Sequence, residues 1–579
     1  MTIELSSLTF TNEADIVPES GVKDLIVNTG IANTLAGNDT INGRFVYKGN
    51  GDLFGRGIEN SGTFNTAEGD DIITGRGGWS GAGIYNSNSG TFNTGEGNDI
   101  ITSDGNKGQA FENFGTFNTG EGNDTITGSG TYGDGIYNYE TGTFNTGEGD
   151  DIITGSGGFY NGIVNSGTFN TAKGNDIITA QAEQGGGIVN TGTFNTAEGN
   201  DIITAKGNSD SGIVNTDTFD TAEGNDIITA TGKYGSGISN TGTFHTAEGN
   251  DIITAKGEYG AGIYNSGTFN TADGNDEITG IGSSSNGISI VKGSILDTGK
   301  GNDRISGKAG LGIGIYNASF NFNTGDGNDT IEGSEGYNGI QNTGLINTGN
   351  GKDTIIAKGQ TFNAKNFAAA LSNIFTIETG NGEDIITATG GIENNGTINT
   401  GDDDDIITNS GGFYYVSDDI SGISNKGTID TGNGNDSIIT EERLFIGTVG
   451  TINTGNGMDT ITSSKVIDNQ GKINTGDGPD FIIANGGFKG MGSVFLGNGK
   501  DYLNGFGTGK FYGGNNQDTI ELPSGSYTVG ITVGMSGTRV EFTKGGVTME
   551  TFEFEKLIVG STTYDLTTWT NKNQTIVIP

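Results

Sequence analysis

Twenty aspartates recur along this chain, each set behind a short turn that usually carries glycine, and each followed by a strand-like apolar residue. They are Asp39, Asp71, Asp99, Asp124, Asp151, Asp176, Asp201, Asp226, Asp251, Asp276, Asp303, Asp329, Asp353, Asp384, Asp405, Asp436, Asp459, Asp480, Asp501 and Asp518. From Asp151 to Asp276 the interval is 25 residues five times in succession; elsewhere it ranges from 17 to 32. A carboxylate repeated at one phase of a coil becomes a column when the coils stack, with neighbours about 5 Å apart. At an effective dielectric near 20, adjacent unit charges at that distance repel by roughly 3 kcal/mol. Lysine and arginine cannot neutralise the column, because 28 of them face 70 acidic residues and few lie near the turns. A hard divalent cation can. Calcium takes about six to eight oxygens, from carboxylates and from backbone carbonyls. Glycine stands two residues before the Asp in 18 copies, which frees the turn backbone to aim its carbonyls at a metal. Nineteen calcium ions between twenty turns would carry +38 and bring the formal charge from −42 to −4. The sequence thus marks the twenty aspartates as metal ligands. The other reading is that the same charge is a solvated surface that keeps the protein soluble.

The elements that position these carboxylates follow from the phase of the repeat. Two residues after the Asp stands Ile in 19 copies and Leu503 in the other, whereas the residue between varies freely: Thr40, Ile72, Glu277, Arg304, Tyr502. A fixed apolar position beside an unconstrained one marks a half-buried strand. Seven residues before the Asp runs a second apolar column, Phe64, Phe92, Phe117, Phe144, Phe169, Phe194, Phe219, Phe244 and Phe269, then mostly Ile or Leu. A third short run, such as Gly187-Ile188-Val189-Asn190, precedes each copy. Three short strands and three corners in about 25 residues make one coil of a parallel β-solenoid, a unit that buries its apolar face only by stacking on its neighbours. With 110 glycines, composition alone would suggest disorder; their recurrence at turn positions says otherwise. Asn lies 11 residues before the Asp in 14 copies, among them Asn60, Asn113, Asn190 and Asn265. Stacked Asn amides bond along a solenoid, so this column reads as structural, with a ligand role as the alternative. His245, the only histidine, fills an Asn slot of the repeat and reads as a surface rung residue.

The expected organisation is an N-terminal cap (1–27), a calcium-binding solenoid of about 20 coils (28–520) and a C-terminal β cap (521–579). Residues 1–24 lack the basic start and apolar run of a secretory signal peptide. No stretch approaches the 18 or so apolar residues of a transmembrane helix. Without cysteine there is neither a disulfide framework nor a thiolate metal site. Residues 361–375 are expected to add one or two helical turns, and 411–419 an aromatic excursion. Three antiparallel strands, 527–533, 538–543 and 552–559, are expected to close the last coil against edge pairing.

The turn and the strand after it resemble the repeat-in-toxin, or hemolysin-type, calcium-binding proteins, whose nonapeptide is G-G-x-G-x-D-x-U-x. Thr94-Gly95-Glu96-Gly97-Asn98-Asp99-Ile100-Ile101-Thr102 matches it at the second and third Gly, the Asp and the apolar residue. The segment from Phe554 through Lys556, Tyr564 and Asp565 to Leu566 is similar to the tails of cyanobacterial members. The resemblance implies calcium held between successive turns by the Asp carboxylate and turn carbonyls. It also implies export by a type I apparatus that reads the C-terminal segment. The departures are specific. Thr replaces the first Gly in 18 copies, and six copies carry Ala at the second Gly position: Ala67, Ala172, Ala197, Ala222, Ala247 and Ala272. Ala resists positive φ, so these turns are expected to hold metal less well. A 25-residue period also gives one metal column and a three-sided coil, not a flat roll.

One histidine in a repeat slot and no cysteine leave no nucleophile–histidine pair. The reading is a non-enzymatic, secreted, calcium-binding protein, structural or adhesive at the cell surface or in the extracellular matrix. Its partners would be calcium and an extracellular polysaccharide or cell-surface component, with no nucleic acid. A carbohydrate-active β-helix enzyme, a polysaccharide lyase or epimerase, is the first alternative; its cleft would have to form at 413–419 with Lys426 or at 358–365. An ice- or surface-binding solenoid using outward Thr and Asn rows, such as Thr193/Asn195 and Thr268/Asn270, is the second.

Overall fold

The computed structural model describes residues 2–17, 25–45, 55–360, 368–414, 420–534 and 537–569. The chain is an all-β parallel solenoid with essentially no helix; the described non-strand elements include only two short 3-10 turns, Leu5–Ser7 and Leu566–Thr568. It divides into two compact units, Met1–Lys300 with Ile305–Gly312, and Gly301–Arg304 with Ile313–Pro579.

One coil of the first unit shows how the sequence closes on itself. Ile188–Asn190 belongs to the first sheet, Thr193–Asn195 to the second and Ile202–Gly207 to the third. Each strand pairs in parallel with its counterparts one coil away, residue for residue: Ile188 with Ile213, Phe194 with Phe219, Ile203 with Ile228. Inward positions are those the repeat holds constant. Phe194, Ile188, Ile203 and the small Ala205 are buried, while Ile202 between the constant positions is 40% exposed. The Phe rings from Phe144 to Phe269 stack with centroids 4.7–4.8 Å apart and planes within 7°. That distance is the strand spacing itself, so backbone pairing and aromatic packing enforce one register.

Gly199, two before Asp201, is needed for space. A Cβ there would run into the Gly174 carbonyl of the preceding coil. The Asn column closes the corner between the first and second sheets: the Asn190 amide donates to Asn215 Oδ1 at 2.8 Å and to the Thr218 carbonyl at 2.7 Å. At the N-terminal end Thr2–Glu4 pairs with Leu25–Asn28, and Leu5 is fully buried.

In the second unit the coils vary more in length, but the same columns continue, with Ile346, Ile377 and Ile398 replacing Phe. Thr528–Gly534, Gly537–Lys544 and Val547–Phe552 form an antiparallel set; the third lies before the expected 552–559, where Lys556–Val559 instead pairs antiparallel with Thr562–Asp565. Val547–Phe552 and Lys556–Val559 also pair in parallel with Lys510–Asn516 and Thr519–Leu522, which adds a last coil that the repeat pattern did not reveal. Of the helical segment expected at 361–375, residues 361–367 lie outside the described residues, and Leu371–Asn373 is a strand of the first sheet.

Candidate functional site

All twenty aspartates lie on the inner side of the corner between the second and third sheets, each at most 2% exposed. Asp201 shows the arrangement. Its Oδ1 accepts the backbone N–H of Asp176, one coil back, at 2.8 Å, and its own N–H donates to Asp226 Oδ1 at 2.8 Å. The same bond, 2.7–2.9 Å long, links Asp39 through Asp276 in the first unit. In the second unit it runs from Asp303 to Asp518 at 2.8–3.0 Å. A continuous Asp ladder therefore exists within each unit. Two members escaped the sequence reading. Asp15 donates its N–H to Asp39 Oδ1 at 2.7 Å, and Asp518 donates to Glu555 Oε2 at 2.8 Å. The signals were present in Asp15-Ile16-Val17 and Glu555-Lys556-Leu557, which keep the acid-x-apolar phase outside the recognisable turn.

The second oxygen of each carboxylate is less well provided for. Oδ2 of Asp99, Asp124, Asp151, Asp176, Asp201 and Asp226 is buried without a hydrogen-bond donor. Thr196, five residues before Asp201, stands beside it, but its hydroxyl donates to the Thr221 carbonyl at 3.3 Å. In one coil the hydroxyl turns the other way, and Thr431 donates to Asp436 Oδ2 at 2.6 Å. Burial pushes these carboxyls up, the Thr hydroxyl standing beside each and the backbone N–H bonded to Oδ1 pull them partly back, and for several of them neighbouring carboxylates push further. Asp176 and Asp226 rise to about 8, Asp201 and Asp251 to about 6. The column thus favours a neutral or neutralised carboxyl, in keeping with the repulsion argued from the repeat.

Among the described residues no three acidic or histidine side chains converge on one point. A metal in this column would take one carboxylate oxygen per coil and the rest of its ligands from the backbone. The turn conformation suits that donor set. Gly95, Gly120 and Gly147, four before the Asp, have φ of 102°, 104° and 89°. The six Ala turns take the left-handed conformation that Ala resists: Ala67, Ala172, Ala197, Ala222, Ala247 and Ala272 all have φ between 57° and 69°. The ladder on both sides holds them in the left-handed region despite its cost of about 1–2 kcal/mol each.

Beside the Asp ladder runs a second one on the outside. Asn200 N–H donates to Asn175 Oδ1 at 2.9 Å and Asn225 N–H to Asn200 Oδ1 at 2.8 Å. The Asn-Asp pair therefore satisfies the corner backbone in both directions along the stack.

The outer face of the second sheet carries a row of Thr and a row of Asn in register, from Thr63/Asn65 to Thr268/Asn270, with Asp220 and His245 in two Asn slots. A shallow trough of about 740 Å³ lies between the rows from Asn33 to Asn195. Its Asn side chains are ordered by one another: Asn93 donates to Asn65 at 2.7 Å, Asn118 to Asn93 at 2.7 Å and Asn170 to Asn145 at 2.9 Å. His245 Nδ1 lies 3.2 Å from Asp220 Oδ1, so the irregular pair forms a rung of its own. At the expected enzyme clefts, residues 361–367 and 415–419 lie outside the described residues. Lys358 pairs with Glu332 at 2.7 Å and Lys426 with Glu393 at 3.6 Å. No described helix is long and apolar enough to cross a membrane.

No protein-family model matches the chain, and no curated protein matches it. Among solved structures, a hyperactive, Ca2+-dependent, β-helical antifreeze protein from an Antarctic bacterium aligns at 15% identity over 74% of this chain and 93% of that one, with a TM-score of 0.30. At that TM-score the alignment says nothing about site or activity.

Proposed function

We propose that the chain is a non-enzymatic, extracellular surface-binding protein, structural or adhesive in role, whose solenoid is stabilised by calcium. The observation that supports this is the in-register Thr and Asn face of the second sheet. Side chains already ordered by a sheet and by one another lose little entropy on contact. Repeated at one strand spacing, they suit a partner that is itself an ordered, repeating surface. In this reading Oδ2 of each ladder Asp and nearby turn carbonyls hold calcium, which supplies the positive charge the column lacks. The C-terminal segment from Glu521 serves as the address for type I export.

Crystalline ice is the second reading, favoured by the same rows, since Thr offers a hydroxyl and a methyl at each rung. One experiment separates the readings. The labelled full chain, in calcium, is offered growing ice and an insoluble, uncharged cell-surface polysaccharide, alongside Thr143→Tyr/Thr168→Tyr. Loss of adsorption by the variant identifies the face, and the substrate that retains the parent protein identifies the surface. Equal adsorption of parent and variant would overturn the assignment.

A further inference from the structure

A second groove lies on the opposite side of the third sheet, away from the Thr and Asn rows. It has a volume of about 1170 Å³ and runs along the corner between the third and first sheets, from Ser129 to Ser283. That is seven coils of the first unit, about 29 Å at the strand spacing. One wall is the last outward position of the third sheet, five residues after each Asp, where the repeat is least constrained: Ser129, Ser156, Gln181, Lys206, Thr231, Lys256. Ser129 and Ser156 show that a coil closes without lysine there, so folding does not require Lys206 or Lys256.

Three features give the groove a chemistry. Lys206, Lys233 and Lys256 line it, against Glu183 and Glu258, in a chain whose formal charge is −42. Among the described residues Lys206 and Lys256 enter no ion pair, unlike Lys173, which meets Glu198 at 2.8 Å. Along the crest of the same corner stand two exposed aromatic pairs, Tyr132 with Phe159 and Tyr234 with Tyr259, their rings 5.0 and 5.2 Å apart. Between the pairs the crest drops to Gln184 and Ser209, so Phe159 and Tyr234 are three coils, about 14 Å, apart. The backbone of this wall is already paired within the third sheet. A peptide therefore has no strand edge to join. What remains is a straight trough of hydroxyls, amides and ammonium groups on successive coils, one strand spacing apart and close to the length of one pyranose ring, with exposed aromatic rings on the crest beside it.

We propose that this groove binds an anionic polysaccharide in extended form, its acidic groups on Lys206 and Lys256 and its rings against Phe159 and Tyr234. The site is separate from the Thr and Asn face and does not rest on the function proposed for that face.

The test uses the full chain in calcium with dextran sulfate, neutral dextran of the same length and poly-glutamate as probes. Binding to dextran sulfate is expected, and Lys206→Ser/Lys256→Ser should weaken it about tenfold. Phe159→Ser/Tyr234→Ser should weaken it about threefold, with the circular dichroism of both variants unchanged. Thr143→Tyr/Thr168→Tyr, on the other face, should leave it as it was. The proposal is overturned if dextran sulfate binds no better than neutral dextran or if either groove variant binds like the parent. It is equally overturned if poly-glutamate binds as tightly, which would make the groove a plain cationic strip, or if the Thr variant abolishes binding.

Discussion

At the scale of the residue, the ladder Asp does two jobs with two oxygens. Oδ1 accepts a backbone N–H from the neighbouring coil, while buried Oδ2 waits for a proton, a hydroxyl or a metal. Asn at this position keeps the acceptor and removes the charge. Asp201→Asn should therefore raise the urea midpoint of the calcium-free protein at pH 6 and lower the number of calcium ions bound. Asp201→Ala removes the acceptor as well and should cost about 1–3 kcal/mol. If both variants unfold alike, Oδ1 is not the anchor. Since the Ala turns adopt the same left-handed backbone as the Gly turns, Asp99→Asn and Asp201→Asn should reduce calcium stoichiometry equally, by isothermal titration. Ala197→Gly should stabilise the fold by about 0.5–1 kcal/mol, because relief of the left-handed Ala outweighs the added freedom of the unfolded chain. A pH series adds an independent check. Burial raises folded Asp201 to about 6 and Asp226 to about 8, above an unfolded value of about 3.9. Without metal, their contribution is complete below about pH 4 and is lost as pH rises through the folded values. Thermal midpoints in chelator should fall steadily as pH rises from 5, until near pH 8 no folded protein remains; a flat or rising series would mean the column stays solvated.

At the scale of the element, the strands and their facing were legible because the repeat states them twenty times over. Phe194 and Ile203 are fully buried where the phase placed them, and outward Glu198 is exposed. Phe194→Ala should accordingly cost roughly 3–5 kcal/mol locally, and Glu198→Ala under about 0.5 kcal/mol, both read from urea unfolding. What stayed hidden was the partner of each polar group. Periodicity shows that Asp201 recurs; it does not show that its bond reaches back one coil, nor that Asn200 bonds in the opposite sense. The slots of Asp15 and Glu555 were missed for a related reason: the ladder needs only an acid at the right phase, whereas the sequence pattern was defined by the turn before it.

At the scale of the whole molecule, an acidic chain with few lysines folds by burying carboxylates in register, and that choice ties its folding to whatever neutralises them. The groove with Lys206 and Lys256 and the Thr and Asn face are outward consequences of the same coil, one from its freest position and one from its most regular. Deleting residues 552–579 should trap the protein inside the cell by removing the proposed export address, as fractionation and immunoblotting would show. It also removes strand Lys556–Val559 and Glu555, the last acceptor of the ladder, so fusing 521–579 to an unrelated passenger is the control that separates address from fold. The central claim is that the buried Asp column requires neutralisation, supplied at neutral to alkaline pH by calcium. Circular dichroism of the full chain at pH 8, titrated with calcium from excess chelator, tests it most directly. A cooperative gain of β-signal with added calcium, reversed by chelator, is the predicted result; an unchanged spectrum and hydrodynamic radius in excess chelator would contradict it.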